Sequence, residues 1–230
     1  LIGRLLNFVD KKILEYGIKH VETIIAQTQE QSSLMSQYYS RSPTEVIGNF
    51  HPIPTANNCH SYNEKTILWV ANFKPIKAPE KILALAKLLP DFQFKMIGRC
   101  DQKVYGSLLK KIEESKNIDY LGPKSQTEVN ELLASATFFL NTSLAEGFPN
   151  TFIQSWGRGV PVLSLNVDPN SVINQEQLGC CNTSYEELAS FARRVLEGPD
   201  SYSLLRERCY NYAMNHHSLT VRDRFIEAFL

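Results

Sequence analysis

The stretch Phe138-Phe139-Leu140-Asn141-Thr142-Ser143-Leu144-Ala145-Glu146-Gly147-Phe148-Pro149-Asn150-Thr151-Phe152-Ile153-Gln154 sets the reading of the whole chain. A short apolar run bounded by turn-formers predicts a buried strand over Phe138 to Leu140. The loop that follows carries a carboxylate and a glycine. Pro149, whose fixed φ suits the first turn of a helix, then opens a helix over Asn150 to Gly157. Pro161 to Leu165 supplies the next strand.

Working outward, the same rhythm repeats. Strands are predicted at Thr66 to Ala71, Phe92 to Ile97 and Asp119 to Leu121, with a weaker one near Leu178 to Cys181. Helices are predicted at Pro79 to Leu89, Asp101 to Ser115 and Thr127 to Ser135, and then at Tyr185 to Leu196, Ser203 to Asn215 and Val221 to Leu230. Strands alternating with helices at this period pair in parallel through right-handed crossovers. The expected fold is α/β, a doubly wound parallel sheet with helices on both faces. Such sheets take ligands in the crevice beyond the carboxyl ends of their strands.

Upstream, the first 16 residues read as an amphipathic helix with Leu1, Leu5, Phe8, Val9 and Ile13 on one side. A strand near Ile24 to Ala26, a helix from Glu30 to Tyr39 and a short strand at Glu45 to Gly48 follow. The run His51-Pro52-Ile53-Pro54-Thr55-Ala56-Asn57-Asn58 cannot be regular structure and reads as a linker. The expected division is residues 1–52, a linker at 53–65, and a main domain at 66–230.

Composition narrows the function. The 24 basic and 24 acidic residues balance to a formal charge of zero, which disfavours nucleic-acid binding through a bulk field. No apolar run approaches the ~18 residues of a membrane span, and aromatics at 10% argue against disorder. The odd set Cys59, Cys100, Cys180, Cys181 and Cys209 has no C-x-x-C spacing, so reduced thiols in a cytosolic compartment are expected. The chain starts at Leu1 rather than Met and reads as a piece of something longer.

Three loops carry chemistry. Glu146 can accept hydrogen bonds from hydroxyls, Gly147 allows close backbone approach, and the helix start at Asn150 offers amide donors to a phosphate. The bland alternative is that Glu146 bonds nearby amides and Gly147 only turns the chain. The loop after the Thr66 strand, Asn72-Phe73-Lys74-Pro75-Ile76-Lys77, puts two lysines at a strand end, where each can neutralise a phosphate. Met96-Ile97-Gly98-Arg99 repeats the order of strand, glycine and cation. Together they predict an anion-binding cleft. The histidines His20, His51, His60, His216 and His217 are read as surface residues, since adjacent residues such as His216 and His217 point apart on a helix. The chain has no Asp-x-Asp, so metal ligands and cofactors are not expected.

From Thr66 onward, about 165 of the 230 residues, the sequence resembles the C-terminal, donor-binding domain of retaining glycosyltransferases of family 4, which have the GT-B fold. The most specific part runs from Glu146 through Gln154 to Gly159-Val160-Pro161-Val162. It is similar to a family signature of a Glu, a second acidic position after seven residues, and a Gly-x-Pro-Val ending. Asn72 to Lys77 with Pro79-Glu80 is a second match, and residues 21–52 resemble the last strand-helix-strand unit of the acceptor-binding domain.

The resemblance implies a transferase using a nucleotide-diphosphate sugar, with Glu146 holding a sugar hydroxyl and Lys77 on the phosphates as catalytic groups. It implies further donor contacts from Asn72, Lys74, Gly98, Arg99, Gly147, Phe148, Pro149, Asn150 and Thr151. Gln154 would lie at the ribose, and backbone near Leu121 at the base. It also implies a glycan or lipid-linked acceptor bound by the other domain, and a cytoplasmic protein able to associate with the inner face of a membrane.

Three departures stand out. Gln154 replaces a carboxylate, Asn72 stands where the family usually places an Arg (Lys74 or Arg99 being the available substitutes), and Pro149 has no N–H. A non-catalytic sugar-nucleotide binding module and a sugar-nucleotide epimerase on the same fold are the alternatives.

Overall fold

Apolar runs become strands here because both of their faces are covered. The computed structural model describes residues 8–55 and 65–227, so Leu1, Leu5, Cys59 and His60 lie outside the described residues. Six strands form one sheet: β3 (Thr66–Val70), β4 (Gln93–Ile97), β5 (Ile118–Tyr120), β6 (Phe138–Asn141), β7 (Val162–Ser164) and β8 (Gly179–Cys181). All pairs are parallel, in the order β5-β4-β3-β6-β7-β8. The α/β doubly wound expectation therefore holds.

Side chains alternate across the sheet with the strand period of two. Ile67, Trp69 and Phe138 enter one core with Ile82, Leu85 and Leu188. Leu68 and Phe139 enter the other with Leu133, Phe152 and Trp156. The first core is covered by α3 (Ile82–Leu88), α4 (Gln102–Glu113) and α8 (Tyr185–Glu197); the second is covered by α5 (Gln126–Ser135) and α6 (Asn150–Trp156). The long α9 (Pro199–His217) sends Tyr202 to the first core and Leu205, Cys209 and Ala213 to the second.

Chain direction fixes where a ligand can enter. From β3 the strands step outward to β4 and β5, and the chain then returns to lay β6 against the other side of β3. The reversal leaves an open crevice beyond the carboxyl ends of β3 and β6.

A smaller unit precedes the sheet: α1 (Phe8–His20), β1 (Ile25–Ala26), α2 (Gln29–Tyr39) and β2 (Glu45–Val46), with β1 and β2 parallel. α2 buries no residue fully, so its unit gains little from its own core. It is tied to the main sheet instead. Gln29 N–H donates to Asn170 Oδ1 at 3.0 Å. His51 N–H donates to the His217 carbonyl at 2.8 Å, and Tyr210 O–H donates to the Pro54 carbonyl at 3.2 Å. Among the described residues no helix is long and apolar enough to cross a membrane.

Several local expectations shift. The helix expected from Pro79 begins at Ile82, because Pro75–Lys77 and Pro79–Lys81 are separate 3-10 turns joined at Ala78, which is left-handed at φ 42°. Pro149 sits just before α6 rather than inside its first turn. A short α7 (Val172–Gln175), absent from the sequence reading, follows a 3-10 turn at Pro169–Ser171 in which Asn170 and Ser171 are left-handed. The final helix, α10, spans Thr220–Glu227.

His217 is the clearest correction. The sequence pattern puts it at the surface, yet it is only 4% exposed, while His216 beside it faces solvent. Its Nδ1 lies 2.7 Å from the Asn49 carbonyl, an acceptor, so Nδ1 carries the proton. Nε2 is left buried without a partner, and the ring packs against Phe148 at 4.8 Å and Tyr212 at 5.6 Å between centroids. Burial drives its pKa down to about 4, with the His216 charge adding to the shift and the Asn49 bond opposing it.

Because the folded pKa lies below the ordinary 6.5, the neutral ring stabilises the fold fully above that value. This contribution is lost as pH falls from about 6.5 towards 4. Denaturant melts should therefore show about 2 kcal/mol less stability at pH 5 than at pH 7. Most of that difference should vanish in His217→Phe, and an unchanged pH slope in the variant would refute the assignment.

Candidate active site at the sheet reversal

The loop after β3 and the loop after β6 are bound to each other by a chain of buried hydrogen bonds. Trp69, on β3 and 2% exposed, donates its indole N–H to Thr142 Oγ1 at 2.8 Å. Thr142 is fully buried and passes its own proton to the Lys77 carbonyl at 2.7 Å. Leu144 N–H donates to the Ile76 carbonyl at 2.8 Å, closing the two loops together. The 3-10 turn at Pro75–Lys77 then aims Lys77 across the crevice.

There Lys77 Nζ meets Glu146 Oε2 at 2.8 Å, with the two side chains 27% and 17% exposed. Asn141, the last residue of β6, donates from Nδ2 to Glu146 Oε1 at 2.8 Å, so both carboxylate oxygens are held. Burial alone would raise the Glu146 pKa. The Lys77 hydrogen bond, the Ser143 and Asn141 bonds and the Lys77 charge together outweigh it, and the carboxyl rests below its ordinary value. Glu146 is thus an anion at neutral pH, and Lys77 is no solvated loop lysine.

A cavity of about 150 Å³ opens at this pair, lined by Lys77, Asn141, Glu146, Pro149, Asn150 and Thr151 among others. α6 starts at its edge with no side-chain cap, whereas α4, α5 and α8 are capped by Asp101, Ser125 and Ser184. The first amides of an uncapped helix are donors without intrahelical partners, a natural seat for phosphate oxygens. A larger cavity of about 390 Å³ lies beside the amino end of β8, among Glu176, Leu178, Leu204, Arg208 and Tyr212. It receives no loop from the strands' carboxyl ends, and the smaller cavity is where cation, carboxylate and free helix end converge.

The other predicted residues divide. Gly98 joins neighbouring rim loops: its φ is +146°, and a Cβ there would stand 1.8 Å from the Ala71 carbonyl oxygen, so only glycine fits. Asn72 Oδ1 accepts from Arg99 N–H at 3.0 Å, tying the same loops. The Lys74 and Arg99 side chains are exposed and line no part of the cavity. Leu121 N–H is committed to the Met96 carbonyl at 2.9 Å. Phe148 turns its ring inward against Trp156 and His217. A Cβ at Gly147 would stand 2.5 Å from Gln31 Nε2, so the smaller unit closes over that loop.

Gln154, at 9% exposure, does not line the cavity; its Nε2 lies 3.2 Å from His51 Nε2. Asn141 and Thr142 were missed by the sequence reading, although two polar residues directly after the apolar run Phe138-Phe139-Leu140 were a usable signal. Among the described residues no group of three His, Cys, Asp or Glu gathers to hold a metal.

The family pattern of Glycosyl transferases group 1 matches residues 56–216. The chain belongs to this family. A Haemophilus influenzae protein described as an uncharacterized glycosyltransferase is 20% identical over 196 residues, covering 81% of this chain and 55% of that protein. The fold is shared with a point mutant of S. aureus TarM, solved with fondaparinux, alpha-GlcNAc-glycerol and UDP, at a TM-score of 0.80 and 16% identity over 98% of this chain and 48% of that one. Anabaena Alr3699/HepE, solved with UDP and glucose, is similar at a TM-score of 0.82 and 14% identity over 99% of this chain and 68% of that one. Sucrose-phosphate synthase from Thermosynechococcus elongatus gives 0.83 and 14% over 98% and 62%. The chain thus spans about half the length of the Haemophilus relative and of TarM. With the family match, these neighbours make the six-stranded sheet that of a GT-B C-terminal domain.

Thr142 gives a direct test of how the site is built. Thr142→Val keeps the shape but strips Trp69 N–H and the Lys77 carbonyl of their shared partner, which should cost about 1–3 kcal/mol in denaturant melts. Thr142→Ser retains the hydroxyl and should recover most of that loss; equal loss in both would refute the hydrogen-bond account.

Proposed function

We propose that the cleft binds a nucleotide-diphosphate sugar, and that the full-length protein transfers the sugar to a glycan or lipid-linked acceptor with retention of configuration. The Lys77–Glu146 pair beside the uncapped start of α6 carries this reading. With donor present, Lys77 turns its charge to the diphosphate, where a compact ammonium offsets the negative charge that grows as the glycosidic bond breaks. The first amides of α6 hold the same phosphates. Glu146, already ionised, exchanges one of its present partners for a sugar hydroxyl and so fixes the sugar's orientation.

In this proposal residues 66–230 form the donor domain, and residues 1–52 belong to an acceptor domain reached through a linker at 53–65. Positioning of acceptor against donor accounts for roughly 7–11 kcal/mol of such a barrier. This stretch of chain therefore binds donor weakly and transfers nothing by itself. The engagement of Gln154 with His51, away from the cavity, favours a second reading, a module that binds the sugar nucleotide without turnover. Transfer assays on a full-length chain separate the two readings.

The TarM and HepE structures hold UDP, which makes it the first nucleotide to titrate. Lys77→Ala removes a charge-assisted contact and should weaken UDP binding about tenfold or more by calorimetry. It also leaves Glu146 buried without its cation, so the carboxyl pKa, followed by NMR, should rise. Unchanged affinity beside a raised pKa would make Lys77 a structural ion-pair partner only.

A further inference from the structure

Asn49, in the segment between the smaller unit and the main sheet, reaches into the loop that carries Glu146. Its Nδ2 donates to the Phe148 carbonyl at 3.1 Å and to Asn150 Oδ1 at 2.8 Å. The Phe148 carbonyl accepts only, which fixes Nδ2 on that side and turns Oδ1 towards Gln27, whose Nε2 donates to it at 2.8 Å. Gln27 is held in turn by its backbone N–H, which donates to Gln31 Oε1 on α2 at 2.8 Å. The Asn49 carbonyl faces His217 Nδ1. One amide thus spends both of its donor hydrogens on the residues either side of Pro149.

We propose that Asn49 is a positioning residue for donor binding, a latch through which the preceding unit holds the loop from Glu146 to Asn150 in its ligand-binding shape. The proposal rests on the reading of the cleft given above. Pro149 has no N–H, so the loop cannot be pinned through that backbone group. The Phe148 carbonyl and the Asn150 side chain are the polar groups next to it, and Asn49 takes both. The bond to Asn150 also fixes one of the residues that line the cavity. Asn49 hydrogen-bonds to neither Glu146 nor Lys77 and reaches the cleft through the loop.

The test is hydrogen exchange on the ligand-free chain together with UDP titration, on the unaltered protein and on Asn49→Ala, Asn49→Asp and Lys77→Ala. Asn49→Asp keeps the size of the side chain and removes both donors. Both Asn49 variants should speed exchange of the amides of Gly147, Phe148 and residues 150–152 about tenfold while amides in α8 keep their rates. They should also weaken UDP about fivefold or more. Unchanged exchange in the loop overturns the latch whether or not UDP binds. Faster exchange with unaltered UDP affinity, where Lys77→Ala weakens UDP, overturns the positioning role and leaves the cleft reading intact. Weaker UDP binding in the Asn49 variants but not in Lys77→Ala supports the latch and overturns the role of Lys77. An unaltered chain that binds no UDP overturns the positioning role along with the donor-cleft reading for UDP.

Discussion

Parallel pairing of β3 with β6 is the constraint from which the rest of the site follows. Two strands far apart in sequence lie side by side, with Ile67 opposite Phe138 and Leu68 opposite Phe139. Their following loops leave towards opposite faces of the sheet, since α3 covers one core and α6 the other. A parallel sheet must open a crevice where such a reversal occurs. Lys77 and Glu146 end up in contact because one belongs to each of the two diverging loops.

Topology brings the loops near each other, and buried polar groups set their spacing. Trp69, Thr142 and the Lys77 carbonyl form a relay in which each member answers the hydrogen-bonding need of the next. In a low-dielectric interior an unanswered member is costly, so the relay permits few alternative arrangements. The ion pair above it gains from that rigidity. Glu146 stays charged despite burial because its partners are already in place, which is electrostatic preorganisation in its simplest form.

Much of this was legible in the sequence. Strands such as Thr66–Val70 and Phe138–Asn141 were readable because burial on both faces demands continuous apolar runs. Glu146 and Lys77 stood out because each follows such a run within a few residues of a helix start. The 3-10 turns around Ala78 and the turn before α7 were hidden, because left-handed alanine and serine leave no composition signal. His217 was misread since its neighbours, Asn49 and Phe148, are distant in sequence and only folding assembles its pocket. The same distance hid Asn49 and the His51–Gln154 contact.

The two tryptophans of the chain fall on opposite faces of the main sheet, Trp69 in one core and Trp156 in the other. Each indole N–H is bonded to a different kind of neighbour, Trp69 to the Thr142 hydroxyl and Trp156 to the Leu178 carbonyl. The protein therefore carries one intrinsic optical reporter per layer. Replacing either with phenylalanine isolates the emission of the other, and the two halves of the interior can be watched separately as the chain loosens. Because Trp69 is wired to the loop bearing Lys77, its emission reads out the state of the cleft, while Trp156 reads the packing of α6 and α9 behind it.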